Sequence, residues 1–170
     1  MDVLLRAVGL LAPQFPRLRL VQIGSEANAH STELMKRLAR EVMADDRVVW
    51  AGLRNDVADL VSATDIYCQP SRGEGLGLGV MEAMASGLPV VASRVGGLCE
   101  SVVDGQTGLL VPPESPEALA AALAGLLRDG TKRRQMGEAG RLHVQQNFVL
   151  EENTRRLVDM YERMWRQVRQ

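Results

Sequence analysis

The sequence is poor in aromatic residues, in cysteine and histidine, and in any excess of charge of one sign. Only 4% of its 170 residues are aromatic, so its core has to be built from leucine, valine, alanine and methionine. A net charge of −1 leaves no surplus of positive side chains for a nucleic-acid backbone. The two cysteines, Cys68 and Cys99, have no paired spacing and no histidine cluster beside them. This argues against a zinc site and favours reduced thiols in a cytoplasmic protein.

Long hydrophobic runs are also absent. The longest weakly charged stretch runs from Leu78 to Ser93, and it is interrupted by Glu82, Gly87 and Pro89. It is too short and too broken to cross a bilayer as a helix. The first residues lack the basic-then-apolar order of a signal peptide. We therefore expect no transmembrane segment.

A regular alternation of helical and extended patterns runs along the chain. Apolar residues at helical spacing and helix-capping residues predict helices at 1–14, 31–44, 56–64, 78–86, 115–129, 131–146 and about 150–170. Short apolar runs predict strands at 17–24, 47–52, 65–71, 88–93 and 107–113. Strands separated by helices indicate a parallel sheet covered on both faces. The predicted fold is therefore a single α/β domain over residues 1–170, with a doubly wound, Rossmann-like sheet.

The stretch "SRGEGLGLGVMEAMASGLPVVAS", residues 71–93, lies between two predicted strands and carries the strongest functional signal. Its glycines let a ligand approach the backbone, and the helix that follows begins with amides that have no partner inside the helix. These amides and the helix dipole suit a phosphate group. Leu76, Gly77 and Leu78 are thus candidate amide donors to a diphosphate.

Two glutamates stand in this otherwise almost uncharged stretch. A carboxylate on an apolar helix needs a partner, and Glu82 suits a ribose diol because one carboxylate accepts from two hydroxyls. Glu74, in the loop before the helix, is placed to meet a sugar on the far phosphate and to stabilise oxocarbenium-like charge. The alternative is a structural role, in which Glu82 pairs with Arg72 or Arg94. The stretch does not match the dinucleotide-binding fingerprint, because its glycines do not have the required spacing. It does not match a Walker phosphate loop either, because no Gly-Lys-Ser/Thr follows.

Residues 72–123 closely resemble the nucleotide-sugar-binding half of glycosyltransferases with the GT-B fold, in particular the retaining family four, or glycosyltransferase group 1, domain. Glu74 and Glu82 match the family's E-x7-E motif, and "GQTGLLVPP" and "NFVLEEN" match later landmarks. The resemblance implies that Glu74 contacts the donor sugar and assists transfer. It also implies that Gly75, Leu76, Gly77 and Leu78 bind sugar and diphosphate, that Glu82 holds the ribose, and that the loop around Arg54 lies beside the base. No metal and no other cofactor are implied.

The chain departs from the family pattern in two respects. No acceptor-binding, amino-terminal half is recognisable, and Met1 already lies in the helix that follows the family's first strand. The arginine and lysine that clamp the diphosphate also have no counterpart. The first strand is central in the strand order 3-2-1-4-5-6. Without it, the strands on either side have buried amides and carbonyls with no partner, and each such group costs about 1–3 kcal/mol. We therefore expect the two halves of the sheet to close up or another chain to supply an edge. Residues 1–170 are accordingly expected to self-associate or to be less stable than a complete domain.

The favoured function is donor binding for retaining, hexosyl-type glycosyl transfer, with little or no transfer by residues 1–170 alone. One alternative is a non-catalytic nucleotide-sugar-binding or partner-docking module that a separate chain completes. A sugar-nucleotide epimerase is a third reading, but His30 and His143 form no recognisable acid–base site and are expected at the surface. UDP, GDP and ADP sugars all remain open as donors. The final helix, with Tyr161 and Trp165, is a second candidate surface for self-association.

Overall fold

This computed structural model describes residues 1–24 and 29–168, which form eight α-helices, five strands and one short 3-10 helix (Asp45–Arg47). The helices are α1 (Asp2–Leu11), α2 (Ala29–Glu41), α3 (Val57–Ser62), α4 (Leu78–Ala85), α5 (Leu98–Ser101), α6 (Pro116–Arg128), α7 (Gly130–Asn147) and α8 (Leu150–Val168). The strands are β1 (Leu20–Ile23), β2 (Val48–Gly52), β3 (Tyr67–Gln69), β4 (Val90–Ser93) and β5 (Gly108–Val111). Helices and strands alternate from α1 to α6, and α7 and α8 follow without a strand between them. Each strand lies inside a segment that the sequence predicts to be extended.

The strands form two parallel sheets, one of two strands and one of three. β1 pairs with β2, and β4 lies between β3 and β5. In the larger sheet Val91 lies opposite Cys68 on one side and Leu109 on the other. All four residues of β4 are buried, as expected for a central strand of a sheet covered on both faces. The predicted α/β class with a parallel, doubly wound arrangement is confirmed.

Two hydrophobic clusters cover the two faces of the larger sheet. Val91 and Val111 pack with the apolar sides of α1 and α6. Val90 and Ala92, which point the other way, pack in the second cluster with residues of α3, α4 and α5. The alternation of side chains along β4 therefore builds a three-layered α/β/α domain.

The gap between the two sheets lies where the resemblance places the missing first strand. Among the described residues β1 pairs only with β2, and β3 pairs only with β4. A cavity of about 1230 Å³ separates them, lined by residues 18–23 on one side and 64–70 on the other. Of the two expected outcomes, closing up of the sheet is thus wrong, and supply of an edge by another chain stays a prediction. If the gap is counted as strand one, β1 and β2 become strands two and three, and β3, β4 and β5 become strands four, five and six. The order across the sheet is then 3-2-1-4-5-6, with no strand at position one.

Some local predictions differ from the structure. α2 begins at Ala29, ahead of Ser31 and Thr32, which the sequence suggests as caps. The short helix α5 was not predicted, because four residues are too few to show a helical period. His143 is half-buried against Phe148 rather than fully at the surface, with 5.6 Å between the ring centroids.

The predicted start of α6 is confirmed in detail. The Ser115 hydroxyl accepts a hydrogen bond from the amide of Ala118, and Pro116 occupies the first helical position.

The last helix, α8, exposes an apolar stripe. Tyr161 and Trp165 keep 61% and 60% of their surface exposed, as expected from the sequence. Self-association through this stripe stays a prediction. In the described part of the chain, no helix is both long and apolar enough to cross a membrane.

An ion-pair network fixes the start of α1 to the loop after β3. Arg72 donates to both carboxylate oxygens of Asp2, at 3.2 and 2.7 Å, and its Nε donates to Glu114 at 2.7 Å. The hydrogen bonds from Arg72 lower the pKa of Asp2 to about 2. A lowered carboxylate pKa stabilises the fold above the ordinary value near 4 and ceases to do so as the pH falls towards 2.

We therefore expect Asp2→Asn to lower the melting temperature at pH 7 by about 1–4 °C, since the pair is partly exposed. The difference in melting temperature between Asp2→Asn and the unmodified chain should shrink as the pH falls from 4 towards 2. Thermal unfolding followed by circular dichroism at a series of pH values measures this difference. Asp159→Asn, at an exposed position of α8, is the matched control and should show no such convergence. A constant difference across the whole range would contradict the assignment.

Candidate functional site

The candidate site lies at the carboxyl edge of the larger sheet, in the loop between β3 and α4. In parallel α/β sheets ligands bind outside the carboxyl ends of the strands, where the order reverses. Here the reversal falls between β1 and β3, because the chain continues outwards in opposite directions from these two strands. The loop of residues 70–77 therefore stands at the position where a doubly wound sheet holds its ligand.

The first amides of α4 point out of the helix without an intramolecular acceptor. Gly77 precedes the helix in the left-handed conformation, with φ 74° and ψ 53°, and offers no side chain as a cap. Its carbonyl accepts from Val80 and Met81. Within the described residues, the amides of Gly77, Leu78 and Gly79 have no backbone or side-chain acceptor. These amides form a short row of donors with the positive end of the helix dipole, which suits an anion.

A second glycine-rich loop, between β4 and α5, packs directly against the loop of residues 70–77. A Cβ atom at Gly97 would lie 1.8 Å from the carbonyl oxygen of Gly75, and one at Gly96 would lie 2.1 Å from that of Glu74. The hydroxyl of Ser101 donates to the carbonyl of Leu76 at 2.8 Å. The two loops thus touch backbone to backbone. Sequence reasoning missed this support, although the paired glycines after a predicted strand were a usable signal.

Glu74 is held by neutral polar groups rather than by an arginine. Its Oε2 accepts from the Gln69 amide at 3.1 Å and from the Ser71 hydroxyl at 3.2 Å. The Tyr67 hydroxyl donates to Oε1 of Gln69 at 3.0 Å and so fixes which way that amide faces. No described residue donates to Oε1 of Glu74. This half-buried carboxylate is therefore oriented by the protein and retains one oxygen for a ligand.

Tyr67 lies under α4, close to both glutamates. A Cβ atom at Gly79 would meet its hydroxyl oxygen at 2.5 Å, so this glycine allows the helix to pass over the ring. Burial raises the pKa of Tyr67, and the negative charges of Glu82 and Glu74 raise it further. Tyr67 therefore remains a hydrogen-bond donor. It was missed as a site residue because its role depends on contacts that no sequence period reveals.

Glu82 is exposed on the second turn of α4, and among the described residues it forms no ion pair. The structural alternative, a salt bridge to Arg72 or Arg94, is wrong. Arg72 pairs with Asp2 and Glu114, and Arg94 pairs with Asp104. The carboxylate of Glu82 is consequently available to a ligand that lies on the start of α4.

The remaining residues of the predicted site lie on the same loop or at the same edge of the sheets. Leu76 and Leu78 are 46% and 66% exposed, so the loop offers apolar surface beside its amides. The Arg54 side chain follows β2 and forms a bidentate pair with Asp56, at 2.8 and 2.6 Å. The prediction for this loop concerns its backbone, and it stays a prediction.

The cysteines take no part in this site. Burial raises the pKa of the Cys68 thiol to about 12, so this thiol is protonated at neutral pH. Cys99 is an exposed free thiol on α5. Among the described residues, no three side chains of the metal-binding types cluster together.

A parallel α/β domain whose helix-start amides have no acceptor among the described residues, and whose carboxyl edge carries two acidic side chains, has the doubly wound architecture that binds ligands at this edge. The sequence profile described as "Glycosyl transferases group 1" matches residues 1–143, and the chain belongs to this family. The expected resemblance to the carboxyl-terminal half of a GT-B glycosyltransferase is thereby confirmed.

Individual relatives agree with this membership. A D-inositol 3-phosphate glycosyltransferase of Corynebacterium aurimucosum is 43% identical over 150 residues, which are 85% of this chain and 36% of that protein. The structure of Anabaena HepE in complex with UDP and glucose matches with a TM-score of 0.82 and 25% identity, over 94% of this chain and 44% of that one. The carboxyl-terminal domain of the glycosyl transferase LpcC from Francisella tularensis matches with a TM-score of 0.77 and 26% identity, over 88% and 79%. The chain thus spans little more than a third of the length of its curated relative.

Proposed function

We propose that residues 1–170 bind the nucleoside diphosphate sugar donor of a retaining glycosyltransferase. The observation that carries the proposal is the start of α4. Within residues 1–24 and 29–168, amides without acceptors lie there between two glutamates that no arginine neutralises. An anion that carries hydroxyl groups on both sides satisfies all of these groups at once. A sugar joined to a nucleoside through a diphosphate has this composition.

Each group of the site then has a separate task. The amides from Gly75 to Leu78 bind the diphosphate and the near side of the sugar. Glu82 accepts from the two ribose hydroxyls, and the backbone near Arg54 lies beside the base. Glu74 faces the sugar with the oxygen that Gln69 and Ser71 leave free.

The proposed chemistry needs charge stabilisation at two places. Departure of the diphosphate builds negative charge on it, which the amides and the dipole of α4 stabilise. Positive charge develops on the sugar ring at the same time, and the fixed carboxylate of Glu74 stabilises it. We propose that no metal ion takes part, because the helix start already meets the leaving group. A hexose is the proposed sugar, in keeping with the glucose named for the Anabaena relative.

Transfer by residues 1–170 alone should be slight or undetectable. The match covers only 36% of the relative's length, and the acceptor has to bind opposite the donor loop. A non-catalytic binding module completed by a separate chain is the second candidate. A cytoplasmic location stays a prediction.

Titration of the chain with UDP-glucose, GDP-mannose and ADP-glucose, followed by amide NMR spectra, tests donor binding. We expect the largest shifts at Gly75, Gly77 and Leu78, and millimolar affinity in the absence of the family's two basic clamps. EDTA should leave the shifts unchanged, and Mg²⁺ should not be needed. Shifts confined to residues far from this loop, or none with any donor up to saturating concentrations, would overturn the proposal.

A second experiment separates a transferase from a binding module. Residues 1–170 are joined to the amino-terminal half of the Corynebacterium relative, and release of UDP from UDP-glucose is measured with inositol phosphate present. Glu74→Gln should lower the rate by about 100-fold or more while the donor affinity hardly changes. Equal rates for the two chimaeras would favour the module.

A further inference from the structure

We propose that Tyr67 is a positioning residue for Glu74 and acts through the side-chain amide of Gln69. By holding that amide, Tyr67 keeps one carboxylate oxygen of Glu74 occupied and the other directed at the donor sugar. The inference rests on the proposed function, because it assigns a role in the same transfer step. It concerns a residue that contacts neither the sugar nor the diphosphate in the proposed complex.

Tyr67 and Gln69 lie on the same face of the larger sheet, because they are two positions apart on β3. The Tyr67 hydroxyl donates to Oε1 of Gln69 at 3.0 Å. Nε2 of Gln69 donates to Oε2 of Glu74 at 3.1 Å and to the hydroxyl oxygen of Ser71 at 3.1 Å. The amide therefore uses its oxygen and both of its hydrogens within this group of four side chains.

The direction of these hydrogen bonds is set from the carboxylate. An ionised carboxylate only accepts, so the nitrogen of Gln69 has to face Glu74 and its oxygen has to face Tyr67. The Ser71 hydroxyl donates its single proton to Oε2 of Glu74 at 3.2 Å. Among the residues described, Tyr67 is then the one donor to the Gln69 oxygen. Without it a half-buried carbonyl loses its partner, and the amide can turn away from the carboxylate.

The backbone of Glu74 is fixed independently of this network. Its carbonyl accepts from the amide of Gly97 at 3.3 Å, where the two glycine-rich loops touch. The side chain retains its own freedom, and Gln69 and Ser71 restrict it by binding Oε2. Loss of the Tyr67 hydroxyl should therefore release the carboxylate without displacing the loop that carries the donor-binding amides.

Gly79 leaves room for the Tyr67 hydroxyl. A Cβ atom at residue 79 would lie 2.5 Å from Oη of Tyr67 but 3.5 Å from Cζ, which is an ordinary contact distance. The close contact is thus made by the hydroxyl oxygen and not by the ring. Glycine is also a poorer helix former than alanine. The first turn of α4 therefore carries a glycine at the place where it passes over this hydroxyl.

The network consists of neutral groups, which suits the charge that the proposed step requires. Burial, and then the negative charges of Glu82 and Glu74, raise the pKa of Tyr67, so its hydroxyl keeps its proton at neutral pH. An arginine beside Glu74 would also hold the carboxylate, but it would cancel much of its charge. A carboxylate held by neutral donors keeps the negative charge that stabilises an oxocarbenium-like sugar.

The first test follows the side-chain amide of Gln69 in NMR spectra of residues 1–170, with Gln69→Glu used to assign its two N–H signals. In Tyr67→Phe both signals should move towards those of an exposed glutamine and exchange with water at least about fivefold faster. Tyr161→Phe is the matched control, because it removes the same hydroxyl from an exposed ring on α8, and it should leave both signals in place. Unchanged Gln69 signals in Tyr67→Phe would overturn the proposal.

The second test measures transfer in the chimaera with the amino-terminal half of the Corynebacterium relative. Tyr67→Phe should lower kcat with UDP-glucose by about tenfold, the equivalent of one hydrogen bond, while KM changes by less than about twofold. In a chimaera that already carries Glu74→Gln, Tyr67→Phe should have little further effect, because the charge that it positions is gone. An equal loss of kcat in both backgrounds would show that Tyr67 does not act through Glu74.

Gly79→Ala separates the hydroxyl from the packing of the ring. Alone it should lower the melting temperature, because its Cβ meets Oη of Tyr67 at 2.5 Å. Combined with Tyr67→Phe it should be tolerated, because that oxygen is gone. The double variant should still have the low kcat of Tyr67→Phe. Recovery of kcat in the double variant would mean that Tyr67 serves packing alone.

The Glu74→Gln chimaera distinguishes failure of this inference from failure of the proposed function. If Glu74→Gln is slow and Tyr67→Phe is as fast as the unmodified chimaera, the role of Tyr67 is wrong and the proposed function stands. If Glu74→Gln is itself as fast as the unmodified chimaera, the proposed function fails at Glu74, and the role of Tyr67 fails with it.

Discussion

Replacing Glu82 with alanine should weaken the binding of UDP-glucose to residues 1–170 by at least about 100-fold. In the proposed complex the carboxylate accepts from two ribose hydroxyls, and each hydrogen bond to a charged group contributes about 1.5–3 kcal/mol. Two such bonds correspond to two decades or more in affinity, at about 1.4 kcal/mol per tenfold change. The side chain is exposed and has no ion pair in the described structure, so its removal should leave the fold intact. Because the unmodified chain is expected to bind with millimolar affinity, amide NMR titration of the variant should show no saturable shifts.

Two controls make this prediction specific to the ribose. Glu100→Ala removes an equal charge from an exposed position on the neighbouring helix α5, and it should have little effect. A donor that lacks the 2′-hydroxyl should bind the unmodified chain more weakly than UDP-glucose does. If the two donors bind the unmodified chain equally, the 2′-hydroxyl makes no such hydrogen bond and Glu82 does not hold the ribose.

The sequence predicted the strands and the large helices because their signals are local. The segment of β4 is predominantly apolar in the sequence, and the structure gives the reason, because all four of its residues are buried. The start of α6 was predictable because Ser115 and Pro116 have conformational preferences of their own. The loss of a shared neighbour by β1 and β3 was also predictable from the strand order, but the open gap between them was not, since closing up of the sheet was one of the expected outcomes.

The polar network around Glu74 was not predictable in the same way. Gln69, Ser71 and Tyr67 are ordinary residues at the end of a strand, and only the turn after Pro70 brings Glu74 back onto Gln69. Nor does a sequence show that Arg72 is already neutralised by Asp2, which lies 70 positions away in the chain. The two glutamates could be identified as candidates, but which of them is held and which is free depends on these contacts between distant segments.

Gly97→Ala is expected to cause a large loss of stability and also to weaken donor binding. Its φ of −65° and ψ of −10° suit any residue, so the need for glycine is steric. The added Cβ would lie 1.8 Å from the carbonyl oxygen of Gly75. This oxygen is a backbone atom, so a change of side-chain rotamer cannot relieve the clash. Overpacking of this kind costs about 3 kcal/mol, the upper part of its usual range, or about 6–12 °C in melting temperature for a chain of this size. The donor loop has to move as well, so its amides lose their alignment.

Gly137→Ala is the control that separates stability from binding. A Cβ atom there would lie 1.9 Å from the carbonyl oxygen of Gly87, an equally close backbone contact between α7 and the end of α4. It should therefore destabilise the fold by a comparable amount. The better helix propensity of alanine offsets up to about 1 kcal/mol of this loss. Gly125→Ala, in α6 with no atom within 4 Å, should instead raise it. Measured well below all three melting temperatures, UDP-glucose affinity should fall only for Gly97→Ala, because only that substitution displaces the loop of residues 74–77. Equal loss of affinity in Gly137→Ala would mean that binding follows global stability rather than the geometry of this loop.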